Sequence, residues 1–120
     1  MKKCLVVDDV EVTRFTTRNI AGELGVEMTM AESVEQAKEA LNRTQFDVIL
    51  LDWHLRKESG LDLLKHIRGE LNLKVPVILF SGVEGSNKSQ EAMQAGANAF
   101  LEKPTTKDKL QKCLQDLRII

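Results

Sequence analysis

Four hydrophobic runs in the chain each stop at or just before a polar residue: Leu5-Val6-Val7 at Asp8-Asp9, Val48 to Leu51 at Asp52, Val77 to Phe80 at Ser81, and Ala99 to Leu101 just short of Lys103-Pro104. Short apolar runs bounded by turn signals read as strands buried on both faces. Cys4 to Val7 is the first strand. Val12, Phe15, Thr16, Ile20 and Leu24 then recur at helical spacing and stop at Gly25, which predicts a helix with a glycine just past its C-terminus. Val26 to Met30 is a short second strand, and Ser33 with Gln36 forms a capping-box signature ahead of the stripe Val34, Ala37, Ala40 and Leu41. Asp47 introduces the third strand. Leu61, Leu64, Ile67 and Leu71 behind Ser59-Gly60 give a third helix, and Pro76 opens the fourth strand. A more polar fourth helix runs from Ser86 or Asn87 through Glu91, Ala92 and Met93 to Gly96, ahead of the fifth strand at Ala99 to Leu101. Thr105 or Thr106 caps a fifth helix with the stripe Leu110, Cys113, Leu114 and Leu117.

Strand and helix patterns alternate from end to end, and a crossover between parallel strands is right-handed and usually helical. The expected fold class is therefore α/β: a doubly wound, five-stranded parallel sheet of flavodoxin-like (βα)5 type with strand order 2-1-3-4-5. The second strand is the least hydrophobic of the runs, as an edge strand can be. No repeat, low-complexity stretch or linker interrupts the pattern, so residues 1–120 are expected to form a single domain.

Composition adds limits. A chain of 120 residues can bury roughly 65% of the surface exposed when unfolded, enough for one core without staples. The 17 Lys and Arg are matched by 18 Asp and Glu, a net charge of −1 that argues against nucleic acid or an anionic membrane as partner. Met1-Lys2-Lys3 leads directly into a strand-like run rather than a signal-peptide core, and no apolar stretch approaches the roughly 20 residues of a spanning helix. A cytoplasmic location is expected. Cys4 and Cys113 lie at apolar positions and read as core thiols, not a disulfide or a metal pair.

In an open α/β sheet ligands bind at the carboxyl ends of the strands, where these runs deliver their polar residues. An Asp-Asp pair after a strand can be no more than a turn and a helix cap. Asp52 changes that reading, because the expected strand order makes strands one and three neighbours and brings Asp8, Asp9 and Asp52 together. Carboxylates crowded at a dry strand edge repel, and a divalent cation relieves the repulsion. Oxygen-only ligands at an open site favour magnesium, Mg2+. Lys103 can supply an ammonium to a carboxylate or a phosphoryl group, Ser81 a hydroxyl, and Gly82 space for an incoming group. Phosphoryl transfer needs mainly positioning and charge neutralisation, which these residues offer.

Asp8-Asp9, Asp52 with Gly60 after it, Ser81-Gly82, Gly96-Ala97, Phe100 and Lys103-Pro104 together resemble the receiver (CheY-like) domain of two-component response regulators, over essentially the whole chain. The resemblance implies that Asp52 is the phosphoacceptor, taking a phosphoryl group from a sensor histidine kinase or a histidine phosphotransfer protein. It implies magnesium held by Asp9, Asp52 and the backbone carbonyl of His54, with Asp8 acting through water. Ser81 and Lys103 would contact the phosphoryl oxygens, and Phe100 would be a switch aromatic that turns inward as Ser81 moves. The output is expected to be a downstream protein target bound through the face of helix four, strand five and helix five, by a monomer or by a weak dimer on activation. Such a protein is a signalling receiver rather than an enzyme, catalysing only its own phosphorylation and dephosphorylation. A receiver excised from a longer response regulator or hybrid kinase is the alternative. A small aspartyl-phosphate-forming phosphatase is a remoter one, since it needs Asp-x-Asp after the first strand.

Some positions depart from the common pattern. Arg56 replaces a frequent proline, which would leave the loop after Asp52 less rigid. Ser81 replaces threonine and loses a methyl group, and Phe100 lacks the phenol of tyrosine. His54 and Val83 stand where family members tune the lifetime of the phosphoryl group, and the Lys103-Pro104 bond is a candidate for cis. The His54 imidazole is not expected to bind metal at an oxygen-rich site. His66 reads as an exposed helix residue, Trp53 as packing beside the site, and the methionines as packing residues.

Overall fold

The computed structural model describes residues 1–55, 57–82, 86–103 and 105–120. Five strands and five helices alternate: β1 Lys2–Val7, α1 Glu11–Glu23, β2 Val26–Ala31, α2 Val34–Arg43, β3 Val48–Asp52, α3 Gly60–Gly69, β4 Val77–Ser81, α4 Ser86–Gln94, β5 Ala99–Glu102 and α5 Lys107–Asp116. All pairings are parallel and the order is β2-β1-β3-β4-β5, as the patterning predicts. The expectations for Arg56, Val83 and the Pro104 bond lie outside the described residues.

Side-chain alternation along the strands divides the interior into two layers. Leu5, Val7, Ile49, Leu51, Val77 and Leu79 face α2, α3 and α4, where they meet Val34, Ala37, Leu64, Ile67 and Ala92. Cys4, Val6, Val48, Leu50, Ile78 and Phe80 face α1 and α5, meeting Ala21, Leu110, Cys113 and Leu114. Both cysteines are free and buried; burial raises both thiols, that of Cys113 to about 11.

Caps set the helix boundaries. The Ser33 hydroxyl accepts the Gln36 N–H, while the Gln36 side chain accepts from the Glu32 N–H at 2.8 Å, so the capping box closes one residue earlier than its usual reciprocal bond. Thr106, not Thr105, caps α5 by accepting from the Lys109 N–H. Gly25 follows α1 with φ +74°, a left-handed position that favours glycine.

The stripe expected on α1 is a correction. Val12 and Phe15 are 74% and 66% exposed, and Thr16 is exposed as well. The face that packs on the sheet carries Thr17 and Ala21, with Ile20 and Leu24 partly buried. Small side chains allow a close approach there, and the Thr17 hydroxyl is satisfied by donating to the Thr13 carbonyl at 2.8 Å. His66 also differs from expectation: its side chain is only 20% exposed and its Nδ1 lies 3.0 Å from Glu70. Of the methionines, Met28 and Met30 pack as expected, whereas Met1 and Met93 are exposed.

Candidate functional site

Register places the site. Val7 pairs with Leu51, so the next residues, Asp8 and Asp52, leave adjacent strands at the same level. Asp52 pairs with Phe80, putting Ser81 one residue farther along β4, and Ser81 pairs with Glu102, just before Lys103. Parallel strands of similar length thus deliver residues distant in sequence to one edge. Asp8, Asp52 and Ser81 are buried there, accompanied among the described buried polar residues only by Thr17.

One carboxylate oxygen from each of Asp8, Asp9 and Asp52 lies within 4.8 Å of the others, with Asp9 the more exposed. Lys103 Nζ donates to Asp8 Oδ2 at 3.0 Å and to Asp52 Oδ2 at 2.9 Å. Burial pushes the Asp52 carboxyl above its ordinary range. The Lys103 hydrogen bond and charge pull it back, the Asp8 charge pushes it up again, and the net direction is upward. Burial alone would lower the Lys103 ammonium, but its contacts with Asp52 and Asp8 outweigh that and raise it.

The connecting loops are held by backbone bonds. The Trp53 N–H donates to the Phe80 carbonyl, and the Lys103 N–H donates to the Ser81 carbonyl at 2.9 Å. After Asp52 the chain turns tightly: the His54 N–H donates to Asp52 Oδ1 at 3.2 Å and the Gly60 N–H donates to the Trp53 carbonyl. The His54 side chain is exposed. A Cβ on Gly60 would run into the Asp52 carbonyl oxygen and lie 2.9 Å from the carbonyl carbon, so glycine is required for this approach. Trp53 is buried beside the site, as expected, and meets Phe100 edge-on, with ring centroids 6.4 Å apart. Phe100 itself is half-buried.

The two aspartates after β1 behave differently. Asp8 makes an Asx turn, its Oδ1 accepting the Val10 N–H at 2.9 Å, so the turn-forming reading holds for this residue. The residue at the N-cap of α1 is Val10, without a side-chain bond, so Asp9 is not a helix cap. Sequence reasoning missed Arg14, whose Nη1 donates to the Asp8 carbonyl at 2.8 Å while Nη2 pairs with Glu32 at 3.2 Å. The strand order held the signal, since it puts the end of β2, and with it Glu32, beside the end of β1. Lys88 of α4 was missed too; its ammonium lies 4.3 Å from the centroid of the Trp53 ring.

The family model of the response regulator receiver domain matches residues 4–115. The chain belongs to that family. Among curated relatives of this receiver, the chemotaxis protein CheY-3 of Vibrio cholerae is 35% identical, with 96% of this chain and 93% of that protein covered. The sensory/regulatory protein RpfC of Xanthomonas campestris is 30% identical over 98% of this chain, which corresponds to 16% of that longer protein. Among solved structures, the receiver domain of the Francisella response regulator 1452 is 30% identical and superimposes with a TM-score of 0.86, covering 98% of this chain and 96% of that one. The fold expected from patterning is therefore that of a CheY-like receiver, and the chain is a two-component signalling module. No described helix is long and apolar enough to cross a membrane.

Proposed function

We propose that Asp52 accepts a phosphoryl group from a phosphohistidine and that the modified protein then binds a downstream protein. The observation that carries this reading is the single ammonium of Lys103 joining Asp52 to Asp8 where three carboxylates converge. An Asp52 carboxylate oxygen attacks phosphorus; the new O–P bond forms as the P–N bond breaks, and the electron pair stays with the departing imidazole. Lys103 and the Ser81 hydroxyl hold the phosphoryl oxygens, positioning and neutralisation being most of what this transfer needs.

The donor set fits magnesium: hard carboxylate oxygens converge, one of them half-exposed, and burial first, with the Asp8 charge adding to it, raises Asp52. Asp9, Asp52 and the His54 carbonyl would hold the ion, with Asp8 through water. When bound it supplies positive charge to the transferred group.

The donor is a sensor histidine kinase or a histidine phosphotransfer protein. The exposed Val12 supports docking near the site, since it lines one groove with Lys103. After transfer, Ser81 moves toward the phosphoryl group, Phe100 turns inward, and the face formed by α4, β5 and α5 changes. The receiver works in the cytoplasm, monomeric or weakly dimeric when activated, and not as an enzyme on other substrates. Similarity to CheY-3 favours a chemotaxis-type target. The match to a small part of RpfC supports the second reading, a receiver belonging to a longer protein.

Incubation with acetyl phosphate and magnesium, followed by intact-mass measurement, tests the assignment. One added phosphoryl group in the wild type and none in Asp52→Asn is expected. Labelling of Asp52→Asn, or no labelling of the wild type by acetyl phosphate or a phosphohistidine donor, would overturn it.

A further inference from the structure

Asp8 is held at every polar atom. Its N–H donates to the Ala31 carbonyl, Oδ1 accepts from Val10, Oδ2 accepts from Lys103, and its carbonyl accepts from Arg14. Asp9 is different: among the described residues nothing holds its carboxylate, which lines an open cleft of about 270 Å³ together with Glu32, Gln36, Lys57 and Glu58. The placement of that carboxylate therefore depends on the backbone that leads into it. The Asp8 carbonyl belongs to the peptide plane shared with Asp9, so a group that fixes this carbonyl fixes the plane from which the Asp9 side chain departs.

We infer that Arg14 is a positioning residue for Asp9 as a metal ligand, acting through the Asp8 carbonyl. The inference rests on reading the carboxylate cluster as the magnesium site. Arg14 is suited to the task because its planar fork reaches two acceptors at once, with Nη1 on Asp8 and Nη2 on Glu32. Its side chain is 14% exposed, whereas that of Glu32 is 61% exposed. The Asp8 bond is therefore the dominant one, and the Glu32 pair is a screened guide that steadies the far side of the fork.

Charge and positioning give opposite signs. A guanidinium near the site repels a divalent cation, so if Arg14 acted by charge alone its removal would tighten magnesium binding. If it acts by holding the Asp8 carbonyl, removal loosens Asp9 and weakens binding. Groups that orient metal ligands typically change affinity by about 10-fold to 100-fold when lost.

The test is a magnesium titration of the wild type, Arg14→Ala, Arg14→Gln, Arg14→Lys and Glu32→Gln, followed by the backbone amide shifts of residues 8, 9 and 52. Melting without magnesium and labelling by acetyl phosphate at saturating magnesium are measured in parallel. Arg14→Ala and Arg14→Gln are expected to raise the half-saturating magnesium concentration about 10-fold, with labelling at saturation within about twofold of the wild type. Arg14→Lys, which keeps the charge and one donor, is expected to fall between them and the wild type, and Glu32→Gln close to the wild type. A lowered melting temperature with unchanged half-saturation in the folded protein would make Arg14 merely structural and overturn the inference, as would tighter binding in Arg14→Ala. If the wild type shows no magnesium-dependent shifts, the cluster reading itself fails and Arg14 loses its role with it. Shifts in the wild type and equally in every variant would overturn Arg14 alone.

Discussion

Lys103 reaches across β4 to Asp52, its Nζ 2.9 Å from Oδ2, while the Lys103 N–H donates to the Ser81 carbonyl. The same Nζ lies 3.0 Å from Asp8. One residue thus ties together the ends of β1, β3 and β4, and its removal leaves two buried carboxylates facing each other. Lys103→Met is expected to lose about 1–3 kcal/mol of stability, the usual range for a buried group deprived of its partner. Urea unfolding measures this loss, and added magnesium is expected to restore part of it by supplying the missing positive charge. Labelling at Asp52 should persist at a reduced rate; full wild-type labelling and stability would show that the ammonium is a bystander.

Asp52 gives a pH-dependent counterpart. Its carboxyl is raised in the folded protein, so the protonated form is favoured by folding and ionisation costs stability. Stability from this group is complete below the unfolded value of 3.8 and falls as pH rises through the higher folded value. Asp52→Asn, which keeps the shape without the charge, should therefore melt higher than the wild type at pH 7, by a few degrees if the gain is about 1 kcal/mol. The difference should shrink as both proteins are acidified toward the unfolded value. An Asp52→Asn protein that melts lower at pH 7 would contradict the direction of the shift.

Magnesium should act on the same repulsion. At about ten times its dissociation constant a ligand of the folded state adds roughly 1.4 kcal/mol, and thermal melts with and without millimolar magnesium would register it. The increment should disappear in Asp9→Ala. An equal increment there would show that the ion binds elsewhere.

The buried strands were legible because their runs are nearly all apolar and stop at or just before a polar residue, as Val48 to Leu51 does at Asp52, and their order because strand and helix patterns alternate from end to end. The convergence of Asp8, Asp9, Asp52, Ser81 and Lys103 on one edge followed from that order alone. The face of α1 was not legible: periodicity weights large side chains, whereas this helix turns Thr17 and Ala21 inward and leaves Val12 and Phe15 outside. Nor were Arg14 and Lys88, whose contacts, a backbone carbonyl and the face of a ring, leave no periodic trace. The reason for Gly60 needed coordinates too, since only the packing of α3 against the end of β3 shows that a side chain has no room.

Gly60→Ala tests that packing. The added Cβ meets backbone rather than the end of a flexible side chain, so either α3 or the Asp52 carbonyl must move. A loss of about 1–3 kcal/mol or more is expected from such overpacking, together with slower labelling, because the displaced strand end carries Asp52, the proposed acceptor. Urea unfolding and acetyl phosphate labelling of the same preparation read both effects. Wild-type stability and rate would mean that the turn after Asp52 is looser than it stands here.

Trp53 lies between Asp52, the proposed acceptor, and the face proposed for output: it follows Asp52 in the chain, meets Phe100 edge-on, and carries Lys88 of α4 over its ring. If the acyl-phosphate state turns Phe100 inward and moves α4, both partners of this ring change together. Beryllofluoride with magnesium, an acyl-phosphate mimic, should therefore alter the emission of the single tryptophan and shift backbone amides through residues 86–101, with neither change in Asp52→Asn. A cation over an indole contributes at least about 0.5–1 kcal/mol, the value at exposed sites. That contact is specific to one placement of α4, so Lys88→Ala should change the balance of the two states by about twofold to fivefold in the unmodified protein. The direction follows from which state keeps the contact: the unmodified structure has it, so its loss should move the amide shifts of Lys88→Ala toward those of the beryllofluoride form. Shifts confined to the loops around Asp8, Asp52 and Lys103, with residues 86–101 and Trp53 emission unchanged, would remove the α4-β5-α5 face from the output. They would favour instead a partner that reads the phosphorylated site itself, as in a relay.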